Sequence, residues 1–171
     1  MSSFTRMDES TAEQWAVIGA ETMANQPRVA EEVLGMLRRL DGIVDGFNAD
    51  QLTHALQTAT LAEDAGADEE MVVASLCHDL GKPVVQMVDP DGRIRTPGHA
   101  ERSLPLVQEF LEQLTGQPAL VREVLPLVRD HQRSVQLHEQ GAGDAAVRRL
   151  ARDVGRIDRL LRVVSADRGG R

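Results

Sequence analysis

With 171 residues, 42% of them hydrophobic, the chain makes one domain of ordinary size, or one domain with a small appendage. Its net charge is −8, and residues 1–100 carry 17 acidic against 7 basic side chains, which argues against strong general binding of nucleic acid. Aromatics are 2% of the chain, with no Tyr to act as a base-stacking platform, and a single cysteine excludes an internal disulfide or a multi-Cys zinc site.

Helical periodicity dominates from the start. Ser10-Thr11 followed by Glu13 predicts a capped helix to about Asn25. Pro27 predicts the first turn of a second helix over 27–40, with Val29, Val33, Met36, Leu37 and Leu40 on one face. Asp41-Gly42 and Asp45-Gly46 end it. A third helix opens at Asn48-Ala49-Asp50 and stops at Gly66, with Leu52, Ala55, Leu56, Ala59 and Ala62 as its apolar stripe. Asp68-Glu69-Glu70 opens a run that is apolar nearly all round, which predicts a buried central helix holding Cys77 as a buried thiol. Residues 82–98 carry three prolines and an Asp-Gly pair and predict a long loop with a short hairpin. Helices follow at about 99–115, 117–132, 144–154 and 156–167, with a polar loop around His138. The organisation predicted is an N-terminal helical extension, 1–47, on an all-α helical bundle, 48–171. No apolar run reaches 18 residues and the N-terminus shows no signal pattern, so a cytoplasmic protein that does not enter membranes is expected.

Four of the five histidines sit where helices begin or end. His78-Asp79 closes the most apolar helix, and an acid there works against both the helix dipole and desolvation unless a cation accompanies it. His54 lies on the preceding helix, His99 starts the helix after the Pro/Gly loop, and His131 ends another. Together they predict a metal site, whose imidazole and carboxylate donors suit Fe, Mn, Ni, Co or Zn. A late carboxylate completes the set. Asp167 shares a helical face with Leu160 and Val164, whereas Asp158 lies on the opposite side, so Asp167 is the inward one. Lys82, the only lysine, reads either as a helix-end cation or as an anion-binding group beside the motif.

The stretch QLTHALQTATLAEDAGADEEMVVASLCHDLGKP resembles the HD-domain superfamily, over about residues 48–168. His54, His78, Asp79 and Asp167 match its H…HD…D signature, and His99 and His131 match the extra histidines of its dinuclear members. The segment HDLGKPVVQMVDPDGRIRTPGHAERS and the ending LLRVVSADRGGR are similar to the HD phosphohydrolase domain attached to bacterial CCA-adding tRNA nucleotidyltransferases. THALQTATLAEDAGADEE is similar to the small HD-type mixed-valent di-iron oxygenases. The resemblance implies an HD-domain helical bundle holding two divalent transition metals (Fe, Mn, Ni or Co, with Mg also admitted). Asp79 would bridge the ions; His54, His78 and Asp167 would complete one, and His99 and His131 would hold the other.

Two chemistries use that ligand set. In a phosphohydrolase, Asp79 and Lys82 would be catalytic, with Lys82, Arg102 and Arg133 holding a small phosphorylated molecule, a phosphomonoester or cyclic phosphodiester such as a nucleotide. The alternative is an oxygenase cleaving a C–C or C–P bond of a hydroxylated substrate. The loop and C-terminal wording favour the hydrolase. A third class, a sensing domain without turnover, is disfavoured by the complete ligand set. Oligomeric state is open, a homodimer included.

Overall fold

The first three α-helices start on short polar side chains. The computed structural model describes residues 7–46 and 48–170, and after a 3-10 turn at Met7–Glu9 the first long element is α1, Ala12–Arg38. Thr11 caps it in a reciprocal box: its hydroxyl accepts the Gln14 N–H at 3.3 Å, and the Gln14 amide oxygen accepts the Thr11 N–H at 2.8 Å. Asp50 caps α2, Gln51–Asp64, and Asp68 caps α3, Glu69–Cys77, each accepting the N–H three residues on. The second oxygen of Asp50 also takes the N–H of Gly42 at 3.1 Å, folding the 42–50 loop back on itself.

Beyond these come α4, Lys82–Val85, and a hairpin of β1, Met87–Val88, with β2, Ile94–Arg95, pairing Met87 with Arg95 and Val88 with Ile94. The rest is helical: α5 His99–Leu114, α6 Pro118–Asp130, α7 Arg133–Glu139, α8 Asp144–Val154 and α9 Ile157–Gly169. The fold is all-α. α3 is central and packs on α2, α6 and α9, while α5 packs on α6 and on α1. Cys77, Phe110, Leu127 and Leu160 are among the side chains filling the core between them. Burial pushes the Cys77 thiol up, and its Sγ–H donates to the Val73 carbonyl at 2.8 Å, so it is an inert packing group. Arg159 ties α9 to the start of α3 through Asp68 and to α6 through Glu123. Among the described residues, no helix is long and apolar enough to cross a membrane.

Two local expectations are corrected. Residues 12–38 form one helix, without a boundary at Pro27. The proline is exposed, so water satisfies the carbonyl that it leaves without an amide partner. Beyond it Val33, Met36, Leu37 and Leu40 are buried in the common core and hold the helix's C-terminal end. The segment read as a polar loop forms α7, because Leu137 buries against the core and Gly141, at φ 60°, ends the turn. Seven residues with one fully buried apolar side chain leave no readable period. Residues 1–6, Phe47 and Arg171, which belong to the expected extension and bundle, lie outside the described residues.

Candidate metal centre

The backbone brings six donor side chains from five helix ends to one point. His54 comes from the first turn of α2, and His78 and Asp79 follow the last turn of α3. His99 is the first residue of α5, His131 caps the end of α6, and Asp167 lies in the last turn of α9. All six are at least 96% buried. Asp79 faces two ways. Its Oδ2 lies 2.9 Å from His78 Nε2 and 3.7 Å from His54 Nε2. Its Oδ1 lies 3.2 Å from His99 Nε2 and 3.8 Å from His131 Nε2. Asp167 Oδ1 lies 3.0 Å from His54 Nε2 and 3.7 Å from His78 Nε2.

Each histidine uses its outer nitrogen the same way. Nδ1 of His54, His78, His99 and His131 lies 3.0, 2.7, 2.8 and 2.6 Å from the carbonyls of Gly170, Ser75, Thr96 and Val128. A carbonyl only accepts, so each Nδ1 carries a proton and each ring, when neutral, turns an Nε2 lone pair inward. Anchoring the outer nitrogen in this way orients histidines toward metals. The consequence is a set of mutually repelling acceptors. His99 and His131 bring their Nε2 atoms within 3.3 Å of each other. His54 Nε2, His78 Nε2 and Asp79 Oδ1 are buried without a hydrogen bond among the described residues, while Asp79 Oδ2 meets the Lys82 ammonium at 2.8 Å. Lone pairs aimed at lone pairs need a cation between them. Two groups, His54–His78–Asp167 and His78–Asp79–His131, have donor atoms close enough to hold an ion. The residues therefore fit divalent metal.

Charge supports the same reading. Among the described residues, Asp79 and Asp45 stand against one ammonium, Lys82, so even with neutral imidazoles this pair leaves one negative charge in excess where little solvent reaches. Burial opposes protonation of His78, but the Asp79 and Asp167 carboxylates outweigh it and hold that imidazole up to about 10. Burial, with the His78 charge beside it, pushes His131 down to about 4, leaving it neutral and ready to ligate. Burial also works against an ionised Asp79, yet His78, His99 and Lys82 hold its carboxyl well below the usual carboxylate range.

Lys82 is fully engaged. Its Nζ lies 2.7 Å from Asp45 Oδ2, 2.7 Å from Gln51 Oε1 and 2.8 Å from Asp79 Oδ2. The sequence reading did not single out Asp45 or Gln51. Gln51 sits beside a helix cap, where a polar residue draws no notice, yet it is 1% exposed. A cavity of about 820 Å³ reaches the cluster through His54 and Lys82, lined also by Asn48, Gln57 and Gly170. A second, of about 610 Å³, reaches it through His99 and is lined by Arg129 and Arg133. Arg129 is tied to Asp130, whereas Arg133 has no ion-pair partner among the described residues. Arg102 is exposed on α5 and lines neither cavity. His138 is exposed on α7. Asp158 is exposed and paired with Arg156, whose hydrogen bond brings its carboxyl down to about 2.

Gly81 stands where two backbones come close. A Cβ there would lie 2.4 Å from the His99 carbonyl oxygen, 2.5 Å from the Ser103 nitrogen and 2.7 Å from the Arg102 carbonyl carbon. Its N–H donates to Ser103 Oγ at 2.8 Å. The turn after His78-Asp79 therefore touches the backbone of α5, and this contact sets His99 against Asp79. Gly81→Ala is expected to destabilise the fold by about 3 kcal/mol, at the upper end for overpacking because backbone must move. Urea unfolding measures it; a change within experimental error would show that the contact is looser than described.

The chain matches the family model of the HD domain over residues 52–163, more than half of its length. It belongs to the HD-domain family, whose members are generally metal-dependent hydrolases. The CC-adding tRNA nucleotidyltransferase of Thermus thermophilus is 40% identical to it over 63 residues, which are 36% of this chain and 14% of that protein. The chain thus aligns with only a small part of this curated relative.

Proposed function

We propose that the protein is a metal-dependent phosphohydrolase acting on a phosphomonoester or cyclic phosphodiester of a small molecule, nucleotides included. The observation that carries this reading is the convergence of four outward-anchored histidines on a two-faced Asp79. His54, His78 and Asp167 would hold one divalent ion, His99 and His131 the other, with Asp79 shared between them. When bound, such ions neutralise phosphoryl oxygens and acidify water.

The chain's own groups do the rest. Lys82 holds Asp79 Oδ2, so the shared carboxylate stays ionised and oriented. Asp45 and Gln51 fix that ammonium in turn. Arg133 stands at the cavity beside His99 with its guanidinium uncommitted and would take the phosphate by paired N–H bonds. The larger cavity on the His54 side would take the remainder of the substrate. Arg102, exposed and off both cavities, is a weaker substrate contact.

The test is phosphate release from a panel of phosphomonoesters and cyclic phosphodiesters with Mn, Co, Ni, Fe or Mg, run with and without oxygen. Oxygen-independent release is expected. Oxygen consumption by the iron form with no phosphate released from any substrate would instead establish the oxygenase reading.

Asp167→Asn and Asp158→Asn separate the site from its surroundings. Asp167→Asn keeps shape but removes a buried charge beside His54, so metal affinity should fall by at least the roughly 10–100-fold that outer-shell changes produce. Asp158→Asn touches only an exposed ion pair and should leave metal content and turnover unchanged. Chelator competition and turnover on both variants check this, and equal behaviour of the two would remove Asp167 from the site.

A further inference from the structure

Three of the four histidines take their orienting carbonyl from three residues earlier in their own turn: Ser75 for His78, Thr96 for His99 and Val128 for His131. His54 cannot. It lies in the first turn of α2, where the Gln51 carbonyl is taken by the helix's own ladder, whereas Ser75 and Val128 fall in last turns, whose carbonyls lack a helical partner. Its Nδ1 instead reaches the carbonyl of Gly170, 116 residues away, at 3.0 Å. The same turn of chain carries Asp167, whose Oδ1 is 3.0 Å from the other ring nitrogen. One helix end therefore places an oxygen at each nitrogen of a single imidazole.

Close contacts, and not backbone conformation, disfavour a side chain at this glycine. Gly170 has φ −86° and ψ 12°, which any residue adopts. A Cβ there would meet Thr58 Oγ1 at 3.0 Å, the Thr58 nitrogen at 3.3 Å and His54 Nδ1 itself at 3.4 Å. Thr58 is fully buried, and its hydroxyl has no hydrogen-bond partner among the described residues, so nothing polar holds a gap open there. At Gly169 a Cβ would lie 3.1 Å from Leu61 Cδ1. The absence of two side chains lets the end of α9 lie directly on α2, where both glycines also form a wall of the 820 Å³ cavity.

We propose that the Gly169–Gly170 end of α9 is a positioning element of the metal centre. The Gly170 carbonyl fixes His54 in the Nδ1–H tautomer and aims its Nε2 lone pair at Asp167 and Asp79. Docking of this turn is thereby coupled to metal affinity at the His54–His78–Asp167 half and to closure of the cavity wall. The coupling rests on the metal-binding reading but not on the choice of hydrolase chemistry.

Long-range proton–nitrogen NMR on histidine-labelled protein reads the tautomer directly, first without metal and then with zinc as a diamagnetic probe. The expected result is an Nδ1–H His54 in the unmodified metal-free chain. Gly170→Ala should lose that preference and weaken zinc binding about 10–100-fold, the range for second-shell partners. The double variant Gly170→Ala with Thr58→Ala removes the tightest contact and should recover both readouts in large part. An Nε2–H His54 in the unmodified protein would overturn the proposal without any variant having to fold. So would a Gly170→Ala protein that keeps tautomer and affinity, or one that loses affinity with the tautomer intact. Zinc that fails to bind the unmodified chain would overturn the metal reading and the coupling with it, while the metal-free tautomer still decides the positioning.

Discussion

Asp79→Ala should empty both halves of the metal centre at once. The two oxygens of this one carboxylate face different histidine pairs, Oδ2 toward His54 and His78 and Oδ1 toward His99 and His131, so a single anion serves both halves. Loss of any one histidine leaves one half with its other donors; loss of Asp79 leaves neither with its shared anion. The readout is stabilisation by metal. A ligand at a hundred times its dissociation constant raises folding stability by about 2.7 kcal/mol. The unmodified protein should show that increment in thermal or urea unfolding, and Asp79→Ala should show none, with turnover falling to background. The metal-free variant should fold, because Lys82 keeps Asp45 and Gln51 and the excess buried negative charge is reduced. An Asp79→Ala protein retaining both metals would remove the bridge from the account.

Lys82→Met should have the largest effect on the metal-free fold. The ammonium is 5% exposed and stands between Asp79, at 1%, and Asp45, at 11%. Methionine keeps the apolar stem but leaves two buried carboxylates without their cation. Breaking a buried pair by removing one partner destabilises by about 3–5 kcal/mol. Removing part of the orphaned charge should return some of that loss. The double variant Lys82→Met with Asp45→Asn is therefore expected to be more stable than Lys82→Met alone, by about 1 kcal/mol or more. Urea unfolding of the four proteins in the cycle gives the coupling. Strict additivity would mean that Asp45 and Lys82 do not interact.

The parts of the site that could be read from sequence are those that depend on local period. His78-Asp79 at the end of an apolar helix, His131 three and seven residues after Val128 and Val124, and Asp167 in register with Leu160 and Val164 all follow from helix geometry. The inward face of each helix then delivers them to one place. What could not be read depends on long-range contact. Asp45 and Gln51 meet Lys82 from 37 and 31 residues away, and a polar side chain near a helix cap carries no mark of its distant partner. The Gly170 carbonyl is a backbone group, identical in every residue type, so its role left only the trace of a paired glycine. Nothing in the sequence marks Gly81 as the point where α5 touches the turn, since that approach is fixed by the tertiary packing. Pro27 shows a local rule overruled: the proline removes one amide donor on an exposed face, and the continuing apolar stripe to Leu40 holds the helix together.

In the proposed centre two ions would share Asp79. Anomalous diffraction at the absorption edge of the bound metal, on crystals of protein purified without oxygen and loaded with Mn or Fe, locates them directly. Two peaks are expected in the cluster, one among His54, His78 and Asp167 and one beside His99 and His131, with Asp79 between them. A single peak, or none within reach of Asp79, would contradict this sharing.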